Sequence, residues 1–197
     1  MSKKMLHNTK PPDSQVQPGY LTKTKTGISG LDEVLHGGFP LERTIVIKGS
    51  AGTGKTILGL EFLVHSAHQG EPAIFVSFEE SAETIRQNAR ATGWDISELE
   101  NAGALFLWQA KIDRNTLISG DFSIESLLAA LEGKARQMGA KLIMIDAVDV
   151  LMRIFQDPQK EQNELYRLHD WLTEQQFTAI LTAKVGKQKG YEHGYEI

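Results

Sequence analysis

Five short apolar runs alternate along the chain with longer segments in which apolar residues recur every three or four positions. The runs occupy residues 44–48, 73–78, 104–108, 141–146 and 177–182. They are apolar almost throughout instead of alternating with polar residues, which is typical of parallel strands buried on both faces. Because segments with helical spacing lie between most of these runs, the pattern predicts an α/β fold with a mainly parallel sheet and helices on both faces.

Residues suited to N-capping indicate where the helices begin. Five of them precede helical stretches or open capping-box patterns: Ser29, Ser81, Asp95, Ser123 and Asp157. The predicted helices after Ser81, Ser123 and Asp157 extend to about residues 92, 138 and 175. Another helix is predicted at 55–68, between a glycine-rich stretch and Gly70.

Composition narrows the class of protein. The chain has 197 residues, with 21 Lys and Arg against 25 Asp and Glu, for a net charge of −4. This acidic balance argues against nucleic-acid binding driven by charge alone. Cysteine is absent, which excludes disulfides, thiolate metal ligands and cysteine nucleophiles. No apolar run approaches the roughly 18–20 residues of a spanning helix, so we expect a cytoplasmic protein without a membrane segment.

The first 20 residues differ in character from the rest. Three of the six prolines lie there and apolar residues are few, so we predict a disordered tail at 1–20. The remaining stretch, 21–197, is long enough to form one domain with a substantial core.

The most informative motif is a phosphate-binding loop of the form G-x-x-x-x-G-K-T, between the first predicted strand and the helix at 55–68. It consists of Gly49, Ser50, Ala51, Gly52, Thr53, Gly54, Lys55 and Thr56. The glycines let backbone N–H groups surround phosphate oxygens, and the helix N-terminus adds positive partial charge. The motif predicts nucleoside triphosphate binding, with Lys55 acting on the β- and γ-phosphates and the Thr56 hydroxyl holding Mg²⁺.

Carboxylates follow two of the predicted strands, at the edge of the sheet where ligands bind. Asp146 ends an apolar strand and is predicted to hold Mg²⁺, the alternative being a turn or cap residue. Glu79 and Glu80 follow the strand at 73–78 and are predicted to orient or deprotonate the attacking water. The alternative for both glutamates is a helix-start role favoured by the helix dipole.

Weaker features leave alternatives open. Asp149 is interpreted as a helix cap or a solvated residue, and Thr182 as a γ-phosphate sensor or a plain strand residue. His65 and His68 lie three residues apart on one helix without a third ligand, so surface histidines are the preferred interpretation. A basic stretch after the last strand lines a ring pore, contacts a neighbour's phosphates or is a solvated loop: Lys184, Lys187, Lys189 and His193.

Several segments together resemble RecA-like ATPases of the KaiC type, the cyanobacterial clock protein family. The similar segments are 26–40, 49–56, 75–80, 88–95 and 143–146, and the resemblance covers nearly everything from about Lys23 to the end. It implies a RecA-like P-loop NTPase fold and ATP hydrolysis with Mg²⁺, with catalytic roles for Glu79 and Glu80. It also implies a homo-hexameric ring with nucleotide between subunits, a KaiB-like regulatory partner, and clock-like or stress-response signalling.

The chain departs from the family pattern in two places. Ala147 follows the predicted metal-binding acid where the clock protein has a serine. The chain ends at Ile197, before the family's residues for the base and for the neighbouring subunit, so we expect the domain at 21–197 to be incomplete. Autophosphorylation belongs to the family's second domain, so a protein Ser/Thr autokinase is expected only in a longer form.

Two other functions fit the same phosphate loop. A RecA-type ATPase of DNA recombination or repair shares it, although the acidic balance and the lack of a basic, aromatic stripe argue against DNA. A nucleotide-gated scaffold would bind ATP to order an interaction surface, with little turnover.

Overall fold

A computed structural model describes residues 21–110 and 124–185 of the chain. The predicted tail at 1–20 and the Ser123 cap lie outside these residues, as do three members of the basic stretch, Lys187, Lys189 and His193.

A parallel sheet forms the centre of the fold, as the apolar runs predict. Two short strands, β1 (Lys23–Thr24) and β2 (Phe39–Pro40), form an antiparallel pair that precedes it in the chain. The sheet consists of β3 (Thr44–Gly49), β4 (Ala73–Ser77), β5 (Leu105–Gln109), β6 (Leu142–Asp146) and β7 (Thr178–Lys184). The strand order is β3-β7-β6-β4-β5, and every pairing is parallel.

Helices connect the strands. They are α1 (Leu31–Val34), α2 (Lys55–His68), α3 (Ala82–Ala91), α4 (Ser97–Asn101), α5 (Ile124–Met138), α6 (Val148–Met152) and α7 (Pro158–Glu174). The prediction for α2 is confirmed at both ends, whereas α6 and the 3-10 turn at Arg153–Phe155 have no counterpart in the sequence prediction. A helix of five residues is too short to show a periodic pattern. None of the helices in 21–110 and 124–185 is long and apolar enough to cross a bilayer.

Alternate residues of the central strands enter two separate cores. On β6, Ile143 and Ile145 pack with α5, α6 and α7, whereas Leu142 and Met144 pack with α2, α3 and α4. All four side chains are at most 1% exposed. Burial on both faces is why the central strands are mostly apolar, and the prediction of an α/β sheet covered on both faces is confirmed.

The capping predictions are partly confirmed. Ser81 accepts a hydrogen bond from the Thr84 amide at 3.1 Å, and Asp157 accepts one from the Gln159 amide at 2.9 Å. The Asp95 carboxylate accepts from the Ser97 amide at 3.0 Å, although the N-cap position of α4 is the next residue, Ile96.

The prediction that Ser29 caps α1 is wrong. The N-cap is Gly30, in the left-handed region at φ 78°, and no side chain caps this end. Asp32 turns back instead and accepts hydrogen bonds of 2.7 Å from both the amide and the hydroxyl of Thr26. These bonds hold the pKa of Asp32 below its usual value, the hydroxyl contributing most. Thr26 is fully buried, so this contact fixes the segment that leads into β3.

Candidate functional site

The phosphate-binding loop joins β3 to α2, where the motif predicts it. Gly52 and Gly54 have φ of 77° and 85°, the left-handed backbone that glycine adopts without strain. The Lys55 ammonium donates hydrogen bonds of 2.9 Å to the carbonyls of both Gly49 and Ser50. The Thr53 hydroxyl donates to the same Ser50 carbonyl at 2.9 Å. The loop therefore curls around the ammonium at the N-terminus of α2.

Strand register brings the predicted metal-binding acid next to this loop. Asp146, the last residue of β6, is 2% exposed. Its Oδ2 accepts a hydrogen bond from the Thr56 hydroxyl at 2.9 Å, and its Oδ1 accepts one from the Thr182 hydroxyl. Burial is the main reason that the pKa of Asp146 is raised, and the two hydroxyls partly offset this. The alternative of a turn or cap role fits poorly, because both carboxylate oxygens point to side chains of the site.

Thr182 lies inside β7 instead of ending it, since the strand continues to Lys184. Its side chain is fully buried, and its hydroxyl donates a hydrogen bond to the Asp146 carboxylate. Neither sequence interpretation described this arrangement. The contact orients the carboxylate from the neighbouring strand.

The two glutamates after β4 have different surroundings. Glu80 is half-buried: its amide donates to the Ser77 hydroxyl at 2.9 Å, and its Oε2 accepts from the Asn88 side-chain amide at 3.0 Å. The pKa of Glu80 is raised, first by burial and then by the negative charges of Asp146 and Glu79, with the Asn88 bond opposing the rise. A half-buried carboxylate with a raised pKa, close enough to Asp146 to be affected by its charge, is suited to accept a proton.

Glu79 forms an ion pair with Lys184, across the carboxyl edge of the sheet. Lys184 pairs with Gly49 in the β3–β7 ladder, so its ammonium extends from the strand beside the phosphate loop. The glutamate is the main reason that the pKa of Lys184 is raised. Lys184 is the member of the basic stretch that lies within the described residues, and its ammonium makes a specific ion pair with Glu79.

The interpretation of Asp149 as a helix cap or a solvated residue is wrong. It lies in the first turn of α6 and is 2% exposed. Its carboxylate accepts a hydrogen bond from the Lys184 amide at 3.1 Å and pairs with the Arg153 guanidinium at 2.5 Å. Asp149 therefore anchors the end of β7, which carries the ammonium that reaches Glu79.

The two histidines of α2 lie away from this cluster of contacts. The ring of His65 packs against Gly27, where an added Cβ would lie 2.3 Å from its Cγ, and His68 is exposed. Within 21–110 and 124–185 there is no group of three or more His, Cys, Asp or Glu side chains arranged to hold a metal ion. The metal-binding candidates remain the Thr56 hydroxyl and the Asp146 carboxylate.

Thr56, Asp146 and the loop at 49–56 have the chemistry to hold Mg²⁺ and a nucleoside triphosphate. Hydroxyl and carboxylate oxygens are the ligands that Mg²⁺ takes from proteins, and phosphates and water supply the rest. Added Cβ atoms at Gly52 and Gly54 would meet no atom within 4 Å, so these glycines serve backbone conformation and open space instead of internal packing. The loop offers amides, a helix N-terminus and an ammonium to phosphate.

Asn88 is the site residue that the sequence analysis missed as a functional candidate. It lies in the second turn of α3, eight residues after Glu80, and the Ser81 cap that starts α3 was predicted. Helical spacing does not show which way the chain between β4 and α3 turns. The hydrogen bond between Asn88 and Glu80 therefore could not be predicted from the sequence pattern.

Comparison with known proteins points to one family. A family model described as "ATPase: KaiC" matches residues 24–197. Circadian clock protein KaiC2 of Synechocystis is 36% identical over 178 residues, covering 89% of this chain and 31% of that protein. Circadian clock oscillator protein KaiC of Picosynechococcus is 37% identical over 164 residues, covering 82% and 32%. The chain thus spans about a third of the length of these curated relatives.

Proposed function

The chain belongs to the KaiC ATPase family and has its RecA-like P-loop fold, and from this premise we propose that it binds Mg²⁺-ATP and hydrolyses it. The observation that carries the proposal is the hydrogen bond between Thr56 and Asp146, 2.9 Å long. It joins the first turn of α2 to the end of β6, beside a complete phosphate loop. A hydroxyl and a carboxylate so placed are the protein ligands of Mg²⁺ in P-loop NTPases.

ATP binding uses the loop at 49–56. Its amides donate hydrogen bonds to phosphate oxygens, and the positive partial charge at the N-terminus of α2 attracts the phosphates. The Lys55 ammonium exchanges its bonds to the Gly49 and Ser50 carbonyls for β- and γ-phosphate oxygens. Thr56 and Asp146 would hold Mg²⁺, which would supply positive charge to the phosphate oxygens.

Hydrolysis uses Glu80 as the general base. It removes a proton from water as the water oxygen forms a bond to the γ-phosphorus and the bond to the bridging oxygen breaks. ADP leaves with the bridging oxygen, whose charge Lys55 and the loop amides stabilise. Glu79 has a supporting role in this mechanism, because its carboxylate is already paired with Lys184.

Steady-state phosphate release tests this function. We expect slow turnover with Mg²⁺ that EDTA removes, and a loss of about 10²–10⁴-fold in Glu80→Gln, the usual contribution of a general base. Glu98→Gln makes the same change at an exposed position of α4 and should behave as the parent. Tight ATP binding without turnover in the parent would instead favour the nucleotide-gated scaffold.

The proposal also includes self-association and clock-like signalling. Relatives named as circadian clock proteins support assembly of this chain into a homo-hexamer with ATP between subunits and control by a KaiB-like protein. Light scattering with and without Mg²⁺-ATP measures assembly. A species that remains monomeric at saturating nucleotide would contradict the ring and leave the ATPase proposal standing.

A further inference from the structure

We propose that Asn88 is a positioning residue for hydrolysis, one that holds the Glu80 carboxylate in a fixed orientation at the carboxyl edge of the sheet. This inference rests on the proposed function, in which Glu80 acts on the attacking water. Asn88 has no role in the phosphate loop or the metal site, and its action would pass entirely through the glutamate.

Glu80 is held at both ends. Its amide donates to the Ser77 hydroxyl at 2.9 Å, which fixes the backbone where the chain leaves β4. Its Oε2 accepts from Nδ2 of Asn88 at 3.0 Å, which fixes the carboxylate. A free glutamate side chain samples many rotamers, whereas a general base has to lie within hydrogen-bond reach of the proton that it removes. The second bond therefore selects the orientation that catalysis needs.

The helix that carries Asn88 is itself well anchored. Ile85 and Ala89, the residues three before and one after it, are 2% and 0% exposed in the core. Arg86 makes a two-pronged ion pair with Glu100 of α4, with hydrogen bonds of 2.8 and 2.9 Å. Supporting groups on a packed helix hold a reacting side chain more accurately than groups on a loop.

The charges around Glu80 explain why a neutral amide suits this position. Asp146 on β6 and the adjacent Glu79 both present negative charge to it, and Lys184 of β7 is paired with Glu79. An Asn side chain donates a hydrogen bond without adding a charge, so it orients the base and lowers the pKa of Glu80 less than a cation at this position would. A lysine or arginine there would pair with the carboxylate and weaken it as a base.

The experiment compares Asn88→Ala and Asn88→Asp with Gln87→Ala and Gln87→Glu, the same changes at the exposed neighbour on α3. Phosphate release gives kcat and KM, ATP titration gives Kd, and thermal unfolding gives Tm. Loss of one hydrogen bond to a charged group predicts a kcat reduced roughly 10- to 100-fold in both Asn88 variants. KM and Kd should stay within about twofold of the parent, and the Gln87 variants should match the parent in every measurement.

Repeating Asn88→Ala in a Glu80→Gln background separates positioning from a structural role. If Asn88 acts through Glu80, the substitution changes the residual rate less than about twofold there. A kcat for Asn88→Ala within twofold of the parent would overturn the inference, as would an equal loss in the two backgrounds. Parental turnover in Glu80→Gln alone would contradict the proposed function itself, so the two failures are distinguishable.

Discussion

The Thr56 hydroxyl lies 2.9 Å from Oδ2 of Asp146, although 90 residues separate them in the chain. The hydroxyl sits in the first turn of α2, and the carboxylate ends β6. Parallel pairing of β6 with β7, and of β7 with β3, brings the two elements to one edge of the sheet. The sheet register therefore brings the hydroxyl and the carboxylate together.

Thr56→Ala should abolish the dependence of ATP affinity on Mg²⁺. The alanine removes a metal-ligand oxygen, while the loop amides and Lys55 still attract phosphate. ATP titration with Mg²⁺ and with EDTA measures the ratio of the two affinities, which should fall close to one. Thr56→Ser keeps the hydroxyl and should restore the parental ratio. An unchanged ratio in Thr56→Ala would exclude this hydroxyl as a metal ligand.

Lys55→Ala should weaken ATP binding roughly 10- to 150-fold, since charge-assisted hydrogen bonds contribute about 1.5–3 kcal/mol. Calorimetric titration with Mg²⁺-ATP measures the affinity. Lys160→Ala removes an equal charge from an exposed position in the first turn of α7 and is the matched control. Parental affinity in Lys55→Ala would refute the assignment of the phosphate loop.

Asp146→Asn should raise Tm in the absence of nucleotide while it removes Mg²⁺-dependent binding. Burial raises the pKa of Asp146 above its ordinary 3.8, so the folded protein holds this proton more tightly than the unfolded chain. Stability is therefore lost as pH rises from about 3.8 through the raised pKa, and the full penalty is present at neutral pH. Removing the charge should raise Tm by roughly 2–4 °C, the shift that about 1 kcal/mol gives at this size.

Asp170→Asn, at an exposed position of α7, controls for the loss of one negative charge. Its Tm should stay near that of the parent at every pH. The advantage of Asp146→Asn should shrink as pH falls through the raised pKa and disappear well below 3.8, where the parent carboxyl is protonated in both states. A Tm that falls at neutral pH would mean that the bonds from Thr56 and Thr182 outweigh the cost of burying the charge.

The two glutamates should separate in a pH profile of kcat. Glu80 has to be deprotonated to act as a base, and its pKa is raised, so the rate should fall with decreasing pH at values above the ordinary 4.5. Glu79→Gln removes a neighbouring negative charge and releases Lys184, and both effects lower the pKa of Glu80. The acid limb of Glu79→Gln should therefore move to lower pH while most of the rate is retained. An unmoved limb would show that another group controls it.

The fold was largely predictable because buried parallel strands differ from amphipathic helices in their pattern. The apolar runs matched all five strands of the sheet to within two residues, and Asp157 with Pro158 marked the start of α7. The prediction of the start of α1 failed because nearby polar side chains can form more than one set of hydrogen bonds. The carboxylate of Asp32 bonds back to Thr26, so α1 begins at Gly30 without a side-chain cap. The five residues of α6 form little more than one helical turn, which is too few to show a repeating pattern.

The phosphate loop, the α/β class and the acidic residues at the strand ends could be identified from the sequence alone, because a contiguous motif and the ends of strands are local properties. The sequence left Glu79 and Glu80 equivalent, since adjacent residues of one type look alike in a pattern. The three-dimensional arrangement distinguishes them, because Glu79 pairs with Lys184 at the end of β7 whereas Glu80 accepts a hydrogen bond from Asn88 on α3. Charge and hydrogen bonding at this edge depend on side chains from separate strands and helices, and their approach is set by sheet register and packing.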